Sequence, residues 1–188
     1  MIISHKHKFI FVKTRKTAGS SIEHFLSKYL GPTDICTGSD IDDTPRLNAP
    51  HHKGHIHWRW IAKNYPTEWR TYYKFAVERN PWDKMISYYY WHTDGTVNFE
   101  DFCLDNTKQY DCWFRYADNG VRVDSLMRYE DIHNEILRSP LPYDNEMLTT
   151  FKKSDANRKP IAHNISTRRA VAQAFKRVIK YFNYEYTQ

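Results

Sequence analysis

The sequence predicts an α/β fold with a mainly parallel central sheet flanked by helices. Three short apolar runs carry this expectation: "KFIFV" (8–12), "YYKFAV" (72–77) and "DSLMRY" (124–129). Each is followed by a segment with helical spacing, and strands alternating with helices build parallel sheets. A chain of 188 residues with 40% hydrophobic and 16% aromatic residues suits one domain with a packed core rather than disorder.

The elements follow in order. "KFIFV" is a buried strand that opens almost at once. In "SSIEHFLSKYL" (20–30), Ile22, Phe25, Leu26 and Tyr29 share one helical face, and Gly31 with Pro32 stops the helix. Residues 38–54 form a polar loop, and "HWRWIAKNY" (57–65) a short helix. After the strand at 72–77, Asn80 caps a helix with Pro81 at its first position and Asp83 three residues after the cap. Residues 92–122 are expected to be loop. The strand at 124–129 leads into the helix "EDIHNEIL" (130–137), where Glu130 and Asp131 read as charges at a helix start. Residues 140–166 are irregular and basic, and "TRRAVAQAFKRVIKYFNY" (167–184) closes the chain as one amphipathic helix.

Net charge +6 and an isoelectric point near 9.1 imply an anionic partner: a nucleotide, nucleic acid, polyanionic glycan or membrane surface. Cys36, Cys103 and Cys112 are odd in number and show no C-x-x-C spacing, which points away from a disulfide scaffold or zinc site and toward a reducing compartment. No apolar run approaches the roughly 20 residues of a membrane span, and the basic N-terminus lacks a signal-peptide pattern. A soluble, cytoplasmic protein is expected, and the sequon at 164–166 then has no glycosylating context.

The most informative stretch is "KTRKTAGSS" (13–21). A strand, a tight basic turn and a helix point free backbone N–H groups and a positive helix end at one anion. Gly19 permits close approach, Ser20 and Ser21 offer hydroxyls, and Lys13, Arg15 and Lys16 supply charge. The spelling G-x-x-x-x-G-K-[ST] is absent, which argues against an ordinary kinase or ATPase loop. The competing reading is a solvated turn with the serines as N-caps. "FAVERNPWDKMISYYYW" (75–91) repeats the scheme, with Arg79 at the start of a capped helix and Ser87 about two turns along.

Together these two segments resemble sulfotransferases that use 3′-phosphoadenosine 5′-phosphosulfate. Lys16-Thr17-Ala18-Gly19-Ser20-Ser21 is similar to their 5′-phosphosulfate loop, nearest the "PKTGGTS" form of the carbohydrate-modifying, Golgi-type branch. Arg79 with Ser87 resembles the 3′-phosphate motif, and "LMRYEDI" (126–132) the "RYEDL" segment. Arg15 stands where that family has proline and Ala18 where it has its first glycine; the missing anchor argues against Golgi residence. The resemblance implies a single P-loop-NTPase-like domain that binds the nucleotide through Arg15, Lys16, Thr17, Ala18, Gly19, Ser20, Ser21, Arg79 and Ser87. The loop "KKSDANRKP" (152–160) would add Arg158 and Lys159, unless it is only solvated. Lys16 would contact the bridging oxygen and the leaving 5′-phosphate, and no metal is required.

An acceptor hydroxyl needs a base that titrates near neutrality. "PHHKGHIHWRW" (50–60) holds His51, His52, His55 and His57. "KGHIHW" resembles the "HGHV" segment of uronyl 2-O-sulfotransferases, which assigns the base to His55 and leaves His52 and His57 as alternates. A metal pair at His55 and His57, or a merely histidine-rich loop, are the competing readings. Trp58, Trp60 and Trp91 are candidates for stacking on a sugar or adenine. The expected partners are a nucleotide donor and a hydroxylated acceptor, taken to be a glycan, with no nucleic acid. The alternatives are a basic nucleic-acid-binding module and a kinase-like nucleotide-binding enzyme.

Overall fold

In the computed structural model of the chain, residues 1–38, 45–49, 54–93, 95–142 and 160–187 are described. Five strands form one sheet in the order β3-β1-β2-β4-β5. They are β1 (Ile2–Ser4), β2 (Phe9–Val12), β3 (Ile35–Cys36), β4 (Tyr73–Glu78) and β5 (Ser125–Arg128). β2, β4 and β5 are parallel, whereas β1 pairs antiparallel with both β2 and β3. The α/β class holds, but the sheet is mixed rather than mainly parallel. The apolar start "MII" makes a hairpin with "FIFV", and Asp34 braces the turn by accepting from Ser4 Oγ (2.8 Å) and the His5 (2.7 Å), Lys6 (3.1 Å) and Gly31 (2.9 Å) amides.

The chain packs as two compact units, Met1–Glu78 with Phe114–Lys152, and Arg79–Trp113 with Lys153–Gln188. The first holds the sheet with helices α1 (Gly19–Ser27), α2 (Trp58–Asn64), α3 (Pro66–Thr71) and α6 (Ile132–Leu137). Its core includes Phe9, Phe11, Ile22, Phe25, Leu26, Phe75, Val77, Met127 and Ile136. Ile22, Phe25 and Leu26 are the α1 face the periodicity predicts. Helix α3 was not expected from the sequence; its Pro66 occupies the first helical turn, where the missing N–H costs nothing.

The second unit is helical: α4 (Pro81–His92), α5 (Phe99–Tyr110), α7 (Ile165–Ala174) and α8 (Lys176–Phe182). α5 corrects the expected loop at 92–122. Asn98 caps it by accepting from the Glu100 and Asp101 amides (2.8 and 3.2 Å), while its buried face includes Thr107 and so reads as weakly apolar. The single closing helix is in fact two, interrupted at Phe175, whose φ of −101° and ψ of 21° leave helical geometry. Tyr88 and Tyr110 stack at 3.9 Å, so part of the tyrosine run is core. No helix among the described residues is long and apolar enough to cross a membrane.

Candidate active site

The parallel pairing of Val12 with Ala76 places the C-terminal ends of β2 and β4 side by side. From β2 the chain enters the turn 13–18. Lys16 and Ala18 both take left-handed backbone, each with φ 58°, which bends the chain sharply before α1. The first intrahelical bond of α1 runs from the Ile22 amide to the Ala18 carbonyl (3.0 Å), so the Gly19, Ser20 and Ser21 amides have no acceptor within the helix. Ala18 is the N-cap and offers no side-chain acceptor, and no acidic residue sits in the first turn. The serines are therefore not the N-caps, and the start of α1 presents three amide donors and the positive end of the helix, a combination that suits an anion. Gly19 is required for space: a Cβ there would lie 2.7 Å from Lys13 Cγ and 3.3 Å from the Thr14 carbonyl oxygen.

Three residues of the turn, Lys13, Thr14 and Thr17, face inward. Thr17 is fully buried, and its hydroxyl bonds the Thr14 hydroxyl (2.8 Å) and carbonyl (3.3 Å), so any part it takes in binding is through its main chain. Lys13, expected to charge the cradle, is also buried, and its ammonium pairs with Glu23 Oε2 at 2.6 Å. Glu23 also accepts from Thr37 Oγ1 (3.0 Å) and from the Met1 nitrogen. Arg15 and Lys16, the other two basic residues of the turn, are partly exposed.

His55 comes to this turn from 42 residues away in sequence, with Nδ1 3.3 Å from the Lys13 carbonyl oxygen. Since a carbonyl only accepts, Nδ1 carries the proton and Nε2 the lone pair. Burial first, and the Lys13 ammonium second, push this imidazole down from 6.5 to about 3, so it is neutral at physiological pH and, contrary to the sequence-based expectation for the base, does not titrate near neutrality. Arg115 Nη1 donates to the His55 carbonyl and fixes its main chain.

His57 is differently engaged: it caps α2, its Nδ1 accepting from the Arg59 amide at 3.0 Å. Its lone pair is thus used, and burial and the Arg59 guanidinium lower its pKa. Among the described residues, no group of three or more His, Cys, Asp or Glu could hold a metal ion. Beside this segment, the Phe114 ring lies 5.8 Å from His57, and Arg59 and Arg122 each sit 5.4 Å from the Trp58 ring. Trp60 rests against Tyr65 at 6.0 Å.

In the second unit, Arg79 directly precedes the Asn80 cap, whose Oδ1 accepts from the Trp82 amide at 3.1 Å. Ser87 is buried on α4, and Trp91 is 54% exposed on the same helix. His51, His52, Arg158 and Lys159 lie outside the described residues. Glu130 and Asp131 form a 3-10 turn into α6, where Asp131 accepts from Asn134 Nδ2 at 2.5 Å.

Three residues were not singled out from the sequence: Glu23, Arg115 and Glu78. Glu78 is a fully buried carboxylate at the end of β4, and it accepts from Tyr116 Oη at 2.8 Å. The signal available was a charged residue directly after the apolar stretch Phe75–Val77. For Arg115, 60 residues from His55, only the folded chain shows the link.

No curated protein matches the chain. The model of the sulfotransferase family matches residues 1–96, which takes in the turn, His55, Arg79 and Ser87 and is just over half of the 188 residues. The chain therefore belongs to the sulfotransferase family, the transferases that move sulfuryl groups.

Proposed function

We propose that this protein transfers a sulfuryl group from 3′-phosphoadenosine 5′-phosphosulfate to a carbohydrate hydroxyl. The observation that carries this reading is the uncapped start of α1, with His55 anchored to the carbonyl of Lys13 at the mouth of the same turn. Three amides without intrahelical acceptors and no first-turn carboxylate fit a phosphate. The strand–turn–helix geometry and the parallel β2-β4-β5 core support a fold related to P-loop NTPases.

The donor supplies a sulfuryl group on a phosphate leaving group. His55 Nε2 accepts the proton of the acceptor hydroxyl as its oxygen bonds to sulfur. Lys16 and the Gly19–Ser21 amides stabilise the charge collecting on the departing phosphate as the S–O bond breaks. Positioning and charge stabilisation do most of this work, as in phosphoryl transfer. Arg79 and Ser87 hold the 3′-phosphate in this scheme. The exposed Phe114 ring and the Trp58 ring beside the His55–His57 segment suit the flat face of a sugar.

The test is transfer from labelled donor to glycans, lipids, phenols and peptides assayed in parallel. Label on a glycan, lost on His55→Ala while nucleotide binding persists, is expected. Label only on a phenol or lipid contradicts the acceptor class, and full activity of His55→Ala contradicts the base.

A further inference from the structure

Lys13 makes three contacts that lead to three parts of the candidate site. Its carbonyl accepts from His55 Nδ1 at 3.3 Å. Its aliphatic stem runs beneath Gly19, close enough that a Cβ there would lie 2.7 Å from Cγ and 3.1 Å from Cε. Its ammonium reaches Glu23 Oε2 at 2.6 Å and Ser20 Oγ at 3.3 Å. The Lys13 side chain is 7% exposed and that of Glu23 is 0% exposed. An ammonium this deeply buried is costly unless paired, so Glu23 leaves it one place to sit. Lys13, the first residue after β2, is therefore held at its tip by α1 while its carbonyl meets His55.

We propose that Lys13 is a positioning residue that ties the base to the anion-binding turn: its carbonyl selects the His55 tautomer, and its Glu23-anchored side chain supports Gly19 and Ser20. The inference rests on the reading of His55 as base. Which imidazole nitrogen holds the proton is set by the hydrogen bond the other group makes, and partners of this kind act on rate through orientation. Lys13 itself touches neither donor nor acceptor in this scheme. Its buried charge is answered by Glu23, which separates its role from that of Lys16.

Lys13→Met tests this directly, because methionine keeps an unbranched stem under Gly19 and removes the ammonium. Glu23 retains Thr37 Oγ1 and the Met1 nitrogen as donors in that variant. Nitrogen-15 NMR of the imidazoles at neutral pH should show the His55 proton on Nδ1 in the wild type and distributed over both nitrogens in Lys13→Met, because the carbonyl of residue 13 stays against His55 only while the Glu23 ion pair holds the residue in place. The kcat should fall by about tenfold or more with donor KM changed by less than about threefold. Glu23→Gln should move both readouts the same way by less, and it carries the test if Lys13→Met does not fold. A folded Lys13→Met that keeps a single Nδ1 tautomer and wild-type kcat overturns the proposal. The NMR readout needs no donor, so a wild-type chain with the expected tautomer but no sulfuryl transfer refutes the functional reading alone.

Discussion

His55 Nδ1 and the Lys13 carbonyl oxygen stand 3.3 Å apart, joining a histidine from the 54–57 segment to the first residue after strand β2. This contact gives the imidazole a direction and leaves its Nε2 lone pair as the basic atom. Burial and the neighbouring ammonium, acting together, keep the ring neutral well into acid.

A pH dependence of known sign follows. His55 is lowered from 6.5 to about 3 in the folded chain, so its contribution is fully present above pH 6.5 and lost as pH falls toward 3. Between pH 6.5 and 5 the wild type should lose about 1–2 kcal/mol more stability than His55→Asn, measured by urea unfolding at each pH. Transfer should also persist at pH 5, where an ordinary histidine base is mostly protonated. An acid limb centred near pH 6.5 contradicts the assignment.

The two small residues of the turn should respond oppositely. Gly19→Ala drives a methyl into the Lys13 stem, which Glu23 prevents from retreating. We expect about 1–3 kcal/mol of lost stability and weakened nucleotide binding. Ala18 holds left-handed backbone at φ 58°, where a Cβ is unfavourable. Ala18→Gly should therefore raise stability by up to about 1 kcal/mol and leave binding intact, as thermal unfolding and calorimetry would show.

Tyr116→Phe removes one donor from a fully buried carboxylate. Leaving Glu78 short of that bond should cost about 1–3 kcal/mol in urea unfolding. Tyr116→Phe with Glu78→Leu together should cost less than the sum of the two single losses, since both singles break the same buried bond. An additive double variant contradicts the coupling.

Much of this was legible in the sequence because local chemistry dictated it. "FIFV", "YKFAVE" and "SLMR" fold as strands, and the caps and proline of α4 place it where Asn80-Pro81 predicts. The turn at 13–18 was legible because a glycine and two serines at a strand–helix junction have few other uses. What escaped was set by distant partners. Lys13 reads as a cradle cation until Glu23 is seen beneath it, and His57 reads as a base until its lone pair is found capping α2. Helix α5 was missed because its buried face mixes Phe102 and Tyr110 with Cys103 and Thr107, and β1 because a three-residue strand merges with the next apolar run.

Calorimetric binding of 3′-phosphoadenosine 5′-phosphate, compared with ATP and single-stranded DNA, tests the central claim most directly. The wild-type chain should bind it in preference to both. Lys16→Ala and Arg79→Ala should each weaken binding by about tenfold or more, the effect of removing one charge-assisted phosphate contact. No binding of this nucleotide, or preferred binding of DNA with a steep salt dependence, would contradict the account.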